Sequence, residues 1–388
     1  MEKKNSFQTG NVVLVSFAHL VHDIFTSFLA PILPILTSQL GISYSMAGFL
    51  SVVQRIPSLL NPFIGLFADK VSVRYFIILT PLLTSVLMSF LGSAPSYLVL
   101  VVMLFFVGIS SVLFHVPAPV MIKRLSGDKV GRGMSFYMLG GELARTLGPL
   151  TILGAISLWG IDGTYRLIGF GIAASLLLYL KIGKIRISEE FKNRKIVETP
   201  KGALKKNIPF FAGISLFILF RNFMKGALTT FLPLFFASKG ESLWAGGIAL
   251  TVIQFSGAIG TFIAGPVCDM IGERKTLLIA SIFAPIFMFL FMISDGYIAI
   301  AFLIPIGILM FSTSPVMLAL VQNVGIEHPS FFNGIYMTLS FGISSLTLFT
   351  VGWMGDIFDF QITFTVSAIT AFLSIPFIFL MTPKDSRS

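Results

Sequence analysis

The chain has 388 residues, 55% of them hydrophobic and only 11% charged, with a formal net charge of +10. Soluble domains carry about 25% charged residues, so this composition excludes a soluble globular protein and indicates a polytopic membrane protein. The single cysteine, Cys268, excludes an internal disulfide and any cysteine-based metal cluster.

At the N-terminus, Met1–Gly10 is polar and carries Lys3 and Lys4. It leads into a segment of spanning length rather than the short apolar core and small-residue cleavage site of a signal peptide. A span needs about 20 mostly apolar residues. Twelve segments qualify, at roughly 11–36, 44–68, 75–92, 97–120, 133–159, 164–182, 208–237, 243–268, 275–294, 296–322, 331–354 and 359–381. The expected fold is therefore an all-α membrane protein of twelve transmembrane helices. Connections are short except for Lys181 to Asn207, which holds nine Lys/Arg and three Glu and divides six spans from six. The expected organisation is an N-terminal six-helix bundle over 1–182, a cytoplasmic linker over 183–207 and a C-terminal six-helix bundle over 208–388.

With Met1 in the cytoplasm, 21 of the 27 Lys/Arg fall in cytoplasmic segments and only Arg166 and Lys239 fall outside. This bias predicts both termini in the cytoplasm and a multi-pass protein of the plasma (cytoplasmic) membrane. It also explains the net charge, because the basic excess faces anionic inner-leaflet lipid; nucleic acid is not an expected partner. The remaining four cations, Arg55, Arg145, Arg221 and Lys225, lie inside spans together with Asp23 and Glu142. A charge near the bilayer centre costs about 2.5–3.5 kcal/mol on insertion scales. Such groups are kept where they face a cavity or one another. Glu142 and Arg145, three apart in Gly140-Gly-Glu-Leu-Ala-Arg-Thr-Leu-Gly-Pro149, share one helix face.

The halves repeat at an offset of about 200 residues, as transporter folds with internal repeats do. Gly65-Leu-Phe-Ala-Asp69-Lys70-Val-Ser-Val-Arg74 closes the second span and Gly265-Pro-Val-Cys-Asp269-Met-Ile-Gly272-Glu-Arg274-Lys275 the eighth. His22-Asp23 with Pro34 corresponds to Arg221-Asn222 with Pro233, Tyr137-Met138 to Tyr336-Met337, and Ala118-Pro-Val-Met121 to Ser314-Pro-Val-Met317.

The loop pattern G-x-x-x-D-[RK]-x-G-x-[RK] resembles motif A of the major facilitator superfamily. Ser72 replaces the glycine of the first copy, and Met270 the basic residue of the second. The resemblance implies two pseudo-symmetric six-helix bundles, a monomer, and a cavity faced by helices one, two, four and five of one half and seven, eight, ten and eleven of the other. Phe17-Ala-His19-Leu-Val-His22-Asp23, Gly108…His115 and Gly140-Gly141…Leu147-Gly148-Pro149 resemble the fosmidomycin-resistance branch, which is associated with efflux of a small phosphonate anion. Val116 intervenes between His115 and Pro117, where that branch has proline directly after the histidine. Gly148-Pro149 resembles motif C, linked to antiporters.

Residue chemistry adds specific expectations. Arg55, Arg145, Arg221 and Lys225 are candidate ligands for a substrate anion, since cations in a low-dielectric cavity attract anions and arginine grips oxyanions with two prongs. Gln54, Asn222 and Tyr137 are polar candidates beside them. The alternative is satisfied ion pairing of Arg145 with Glu142 and of Arg55 with Asp23. Asp23 or Glu142, with His19 and His22 adjoining Asp23, is the expected proton carrier; hydrogen bonding between helices is the competing role. His115 is expected near the cytoplasmic end of the fourth span in a structural role. Gly65 and Gly265 are expected to allow close helix contact, Asp69 and Asp269 to face a helix N-terminus, and Lys70, Arg74, Arg274 and Lys275, with Gly272, to shape and tether the gating loops.

No G-x-x-x-x-G-K-[ST] loop supports ATP drive, and the linear sequence shows no metal-ligand cluster, so no cofactor is expected. The reading is a proton-coupled secondary transporter, not an enzyme, exporting a small anionic or amphipathic compound by antiport. Proton-coupled uptake of an anionic metabolite, a lysolipid flippase and a sensor without turnover are the alternatives.

Overall fold

The computed structural model describes residues 7–61, 74–127, 130–183, 205, 207–324 and 329–381. Residues 62–73 hold Gly65, Asp69 and Lys70, which therefore lie outside the described residues, as does most of the central linker. Every regular element described is helical. The first half contains α1 (Thr9–Thr26), α2 (Leu29–Leu40), α3 (Tyr44–Arg55) and α4 (Arg74–Ser89), then α5 (Tyr97–His115), α6 (Pro117–Ser126), α7 (Val130–Trp159) and α8 (Ile168–Ile182). The second contains α9 (Ile208–Gly226), α10 (Leu232–Ser238), α11 (Leu243–Ile271) and α12 (Glu273–Ile293), then α13 (Gly296–Val324), α14 (Pro329–Ile357), α15 (Phe360–Phe372) and α16 (Ile375–Met381).

Ten described stretches are long and apolar enough to cross a bilayer. The two other expected spans have plain reasons for falling outside that set. The second is described only to residue 61, and α7 carries Glu142, Arg145 and several glycines along its middle. Local signals set the helix ends. Ser96, Ser242 and Asp359 accept the N–H of Val99, Ala245 and Ile362 at the starts of α5, α11 and α15. Gly272 stops α11 with φ +85°, a left-handed backbone that glycine adopts without strain. That geometry accounts for the glycine of the second loop motif.

The first span of each half is interrupted just beyond its charged residues. α1 ends at Thr26, one turn after Asp23, and the Ser27 and Thr26 hydroxyls both donate to the Asp23 carbonyl. α9 ends at Gly226, after Arg221 and Lys225, and passes through a π turn at Ala227–Phe231 before Pro233 restarts the helix as α10. π turns and unwound helices recur at transporter binding sites, because they free backbone groups where a ligand can use them.

Two compact units emerge from the packing: residues 1–42 with 50–193, and residues 43–49 with 194–388. In the first, α1 lies against α7 and α4, and α4 against α5 and α8. Its core includes Val12, Val15, Ile77, Phe114, Met121 and Leu178, all buried. In the second, α9 lies against α14 and α15, and α12 against α13 and α15. Phe211, Ile214, Phe217, Leu277, Met317 and Ile378 form the corresponding core. The same spans thus supply the core in each half, which is the repeat seen in the sequence expressed as packing. Ser43–Phe49, the first turns of α3, group with the second unit. There both oxygens of the Asp356 carboxylate accept backbone N–H groups, from Tyr44 at 2.5 Å and Ser45 at 2.9 Å. A carboxylate at a helix N-terminus is favoured by the helix dipole.

Candidate functional site

The seam between α1 and α7 places the first group of candidates. A Cβ added at Gly140 would lie 2.5 Å from the Ser16 carbonyl oxygen, and one at Gly141 would lie 2.7 Å from Cε1 of His19. Only glycine lets the two backbones approach this closely. The approach brings the Tyr137 carbonyl within 2.8 Å of His19 Nδ1, and the His19 and Tyr137 rings stack at 4.0 Å.

Asp23 lies at the centre of a buried imidazole cluster. His19 Nε2 is 3.3 Å from Asp23 Oδ2 and His115 Nε2 is 3.0 Å from Oδ1. His115 Nδ1 reaches the Tyr137 hydroxyl at 3.3 Å. His22 turns away from Asp23 and bonds Thr84 Oγ1 at 3.1 Å, which continues to Ser110 at 2.7 Å and on to the Thr80 carbonyl. Asp23, His19 and His22 are all buried. His115 closes α5, about two turns before Lys123 and Arg124 in α6, and engages Asp23. Tyr137 is 4% exposed, and its carbonyl and hydroxyl engage the two imidazoles.

Glu142 and Arg145 form the second group. Arg145 NH1 donates to Glu142 Oε1 at 2.9 Å, with the Arg145 side chain 45% exposed and that of Glu142 only 15%. Arg55, at the end of α3, is close enough to interact electrostatically with Arg145. Among the described residues no carboxylate pairs with Arg55; the alternative Arg55–Asp23 pair is not formed, and Asp23 is engaged by imidazoles. Gln54 donates to the Thr26 carbonyl at 3.1 Å, which ties α3 to the break after α1. Arg145 thus has a carboxylate partner in Glu142, while Arg55 places a second positive charge near Arg145.

In the second unit, Arg221 is buried and donates to the Met310 carbonyl, with Tyr336 nearby. Among the described residues it has no carboxylate partner. Asn222 donates to Ser344 at 2.8 Å. Lys225 Nζ lies over the Phe311 ring at 5.4 Å, a cation–π placement. Of the loop residues, Arg274 stacks over Phe379 at 4.2 Å and Arg74 over Tyr75 at 4.9 Å, while Lys275 is exposed. Gly265 is also exposed, and a Cβ built there meets nothing within 4 Å. The expected close helix contact at Gly265 is therefore not made among the described residues. The Asp269 side chain lies outside the described set.

Sequence reading missed the union of His115 with His19 and Asp23. Their ligating atoms lie within 4.8 Å of one another, although His115 is 92 positions from Asp23. Spacing along the chain carries no trace of it; the one available signal was a third histidine in an otherwise apolar span.

A sequence profile described as Major Facilitator Superfamily matches residues 15–348. The fosmidomycin resistance protein of Escherichia coli K12 is 24% identical over 381 residues, covering 96% of this chain and 92% of that protein. An uncharacterized MFS-type transporter of Bacillus subtilis 168, YfnC, is 22% identical, covering 97% and 93%. Among solved structures, a bacterial homolog of the human lysosomal transporter Spinster, inward-facing and occupied, superposes with a TM-score of 0.77 at 15% identity, covering 97% of this chain and 95% of that one. A D-xylose–proton symporter does so at 0.74 and 15%, covering 97% and 98%. These likenesses establish the fold.

Proposed function

The chain belongs to the Major Facilitator Superfamily, a family of membrane transporters for small molecules, and on that premise we propose that it is a proton-coupled exporter of a small compound bearing an anionic group. Both termini are taken as cytoplasmic and the membrane as the cell's inner membrane. Export is supported by the likeness to the fosmidomycin resistance protein. The observation that carries the site is the Arg55–Arg145–Glu142 group. Arg145 presents an exposed guanidinium, whose planar donors match carboxylate, phosphate or phosphonate oxygens. Arg221 and Lys225 are the candidate cations within the second unit.

In this reading the same pair couples substrate to proton. An anion that takes Arg145 frees Glu142 to carry the proton, and substrate and proton bind together. A substrate with a basic or strongly donating group competes with the proton for Glu142, and substrate and proton exchange. Antiport therefore calls for an amphipathic or zwitterionic substrate with an anionic end on Arg145 and a donor end on Glu142. The second reading, uptake of a purely anionic metabolite together with a proton, is favoured by the Glu142–Arg145 contact itself. Glu142 is assigned the coupling role over Asp23, because Asp23 is enclosed by His19 and His115 while Glu142 shares its partner with the substrate.

Imposed pH gradients in proteoliposomes decide between the readings. With the lumen acid, exchange accumulates a zwitterionic phosphonate inside. Accumulation only with the exterior acid would assign uptake and overturn export. No response to either gradient would overturn proton coupling.

A further inference from the structure

The imidazole cluster is more than an interhelical hydrogen-bond network, because its tautomers leave lone pairs facing acceptors. His19 Nδ1 faces the Tyr137 carbonyl at 2.8 Å. A carbonyl only accepts, so Nδ1 carries the hydrogen and the neutral ring has a bare lone pair on Nε2. That lone pair meets Asp23 Oδ2, a second acceptor, at 3.3 Å. Two acceptors at this distance require a cation between them. His22 repeats the pattern. Ser110 gives its hydrogen to the Thr80 carbonyl, so the Thr84 hydroxyl donates to Ser110 and His22 Nδ1 donates to Thr84. His22 Nε2 is then a bare acceptor, fully buried and without a partner. A buried polar atom left unsatisfied costs about 1–3 kcal/mol, and unmodified protein chemistry in this pocket offers no donor for it among the described residues.

We propose that His19 Nε2, the Asp23 carboxylate and His115 Nε2 form a binding site for one divalent transition-metal ion of the zinc class. The spacing fits. An ion with bonds of about 2.0–2.1 Å in tetrahedral geometry spaces its ligand atoms by roughly 3.4 Å. His19 Nε2 is 3.3 Å from Asp23 Oδ2 and His115 Nε2 is 3.0 Å from Oδ1, so the carboxylate meets the two rings with its two oxygens, and one ligand atom from each residue lies within 4.8 Å of the others. Two imidazoles and one carboxylate are a donor set for zinc, cobalt or nickel rather than for calcium or magnesium, which take oxygen ligands. The outer contacts are those that metal-bound histidines use. Tyr137 orients both rings, through its carbonyl on His19 Nδ1 and its hydroxyl on His115 Nδ1. His115 gives access, with 36% of its side chain exposed beside an Asp23 side chain at 8%. Three protein ligands leave one position for water or an anion.

The test is direct binding to tag-free, EDTA-stripped full-length protein in detergent, which needs no transport. Isothermal titration should show one zinc ion bound per chain, and cobalt should develop the intense visible absorption of a tetrahedral site. His115→Ala alters a half-exposed side chain and should weaken binding by about 100-fold, with the cobalt band lost. Asp23→Asn should do the same. Tyr137→Phe removes one outer contact and should weaken binding about tenfold, which a general loss of fold would not mimic when the thermal transition is unchanged. Absence of zinc binding to the wild type, or equal binding by wild type, His115→Ala and Asp23→Asn, would overturn the proposal. The first result would leave a proton as the cation of the cluster, and the second would place the metal elsewhere. Neither outcome bears on whether Glu142 and Arg145 carry substrate.

Discussion

Replacing Arg145 by alanine should abolish substrate transport while leaving a folded protein in the membrane. The guanidinium is the exposed member of the Glu142 pair, so its loss opens no cavity in the buried core. What it removes is the donor fork for the substrate anion. Hydrogen bonds to a charged group contribute about 1.5–3 kcal/mol, a loss of affinity of roughly tenfold or more. Arg145→Lys keeps the charge but not the two-pronged geometry, and should retain binding at intermediate affinity. The check is substrate binding and flux in proteoliposomes, with monodispersity and thermal transition recorded for each variant. Wild-type flux in Arg145→Ala would remove this residue from the site.

Gly140→Ala should be a damaging single-methyl change at the seam between α1 and α7. The added Cβ would lie 2.5 Å from the Ser16 carbonyl oxygen, a backbone atom that cannot rotate away. α7 must therefore move off α1. Overpacking of this kind costs typically about 1–3 kcal/mol. It also shifts Tyr137 relative to His19, since the Tyr137 carbonyl is held at 2.8 Å from that ring. Gly154 lies further along the same helix, where a Cβ meets nothing within 4 Å, and Gly154→Ala is the matched control. Thermal unfolding in detergent should show a clear drop for Gly140→Ala and no loss for Gly154→Ala. Equal behaviour of the two variants would mean that the α1–α7 seam does not set the position of the cluster.

Much of this architecture was legible in the sequence because the bilayer imposes a simple rule. Every backbone group must be satisfied within its own segment, so spans read as apolar runs of fixed length. Loop charges, repeated motifs and paired prolines then gave the six-plus-six arrangement. The in-span charges were equally visible, since each is costly and must have a use. Their partners were less visible. The Glu142–Arg145 pair could be read from a spacing of three on one helix, whereas the alternative Arg55–Asp23 pair does not form and His115 engages Asp23 instead. That contact joins residues 92 positions apart, on α5 and α1. No periodicity encodes it. The role expected of Gly265 failed for a related reason: glycine in a motif suggests close packing, but whether a neighbour is present is a property of the fold.

The most direct test of the central claim is the proton flux evoked by substrate in proteoliposomes containing a pH dye, comparing wild type with Glu142→Gln. A zwitterionic phosphonate should drive protons in the direction opposite to its own movement through the wild type. Glu142→Gln should still exchange substrate for substrate across the membrane but move no protons with it. Proton movement that persists unchanged in Glu142→Gln would contradict the account, because the coupling group would then lie outside the Glu142–Arg145 pair.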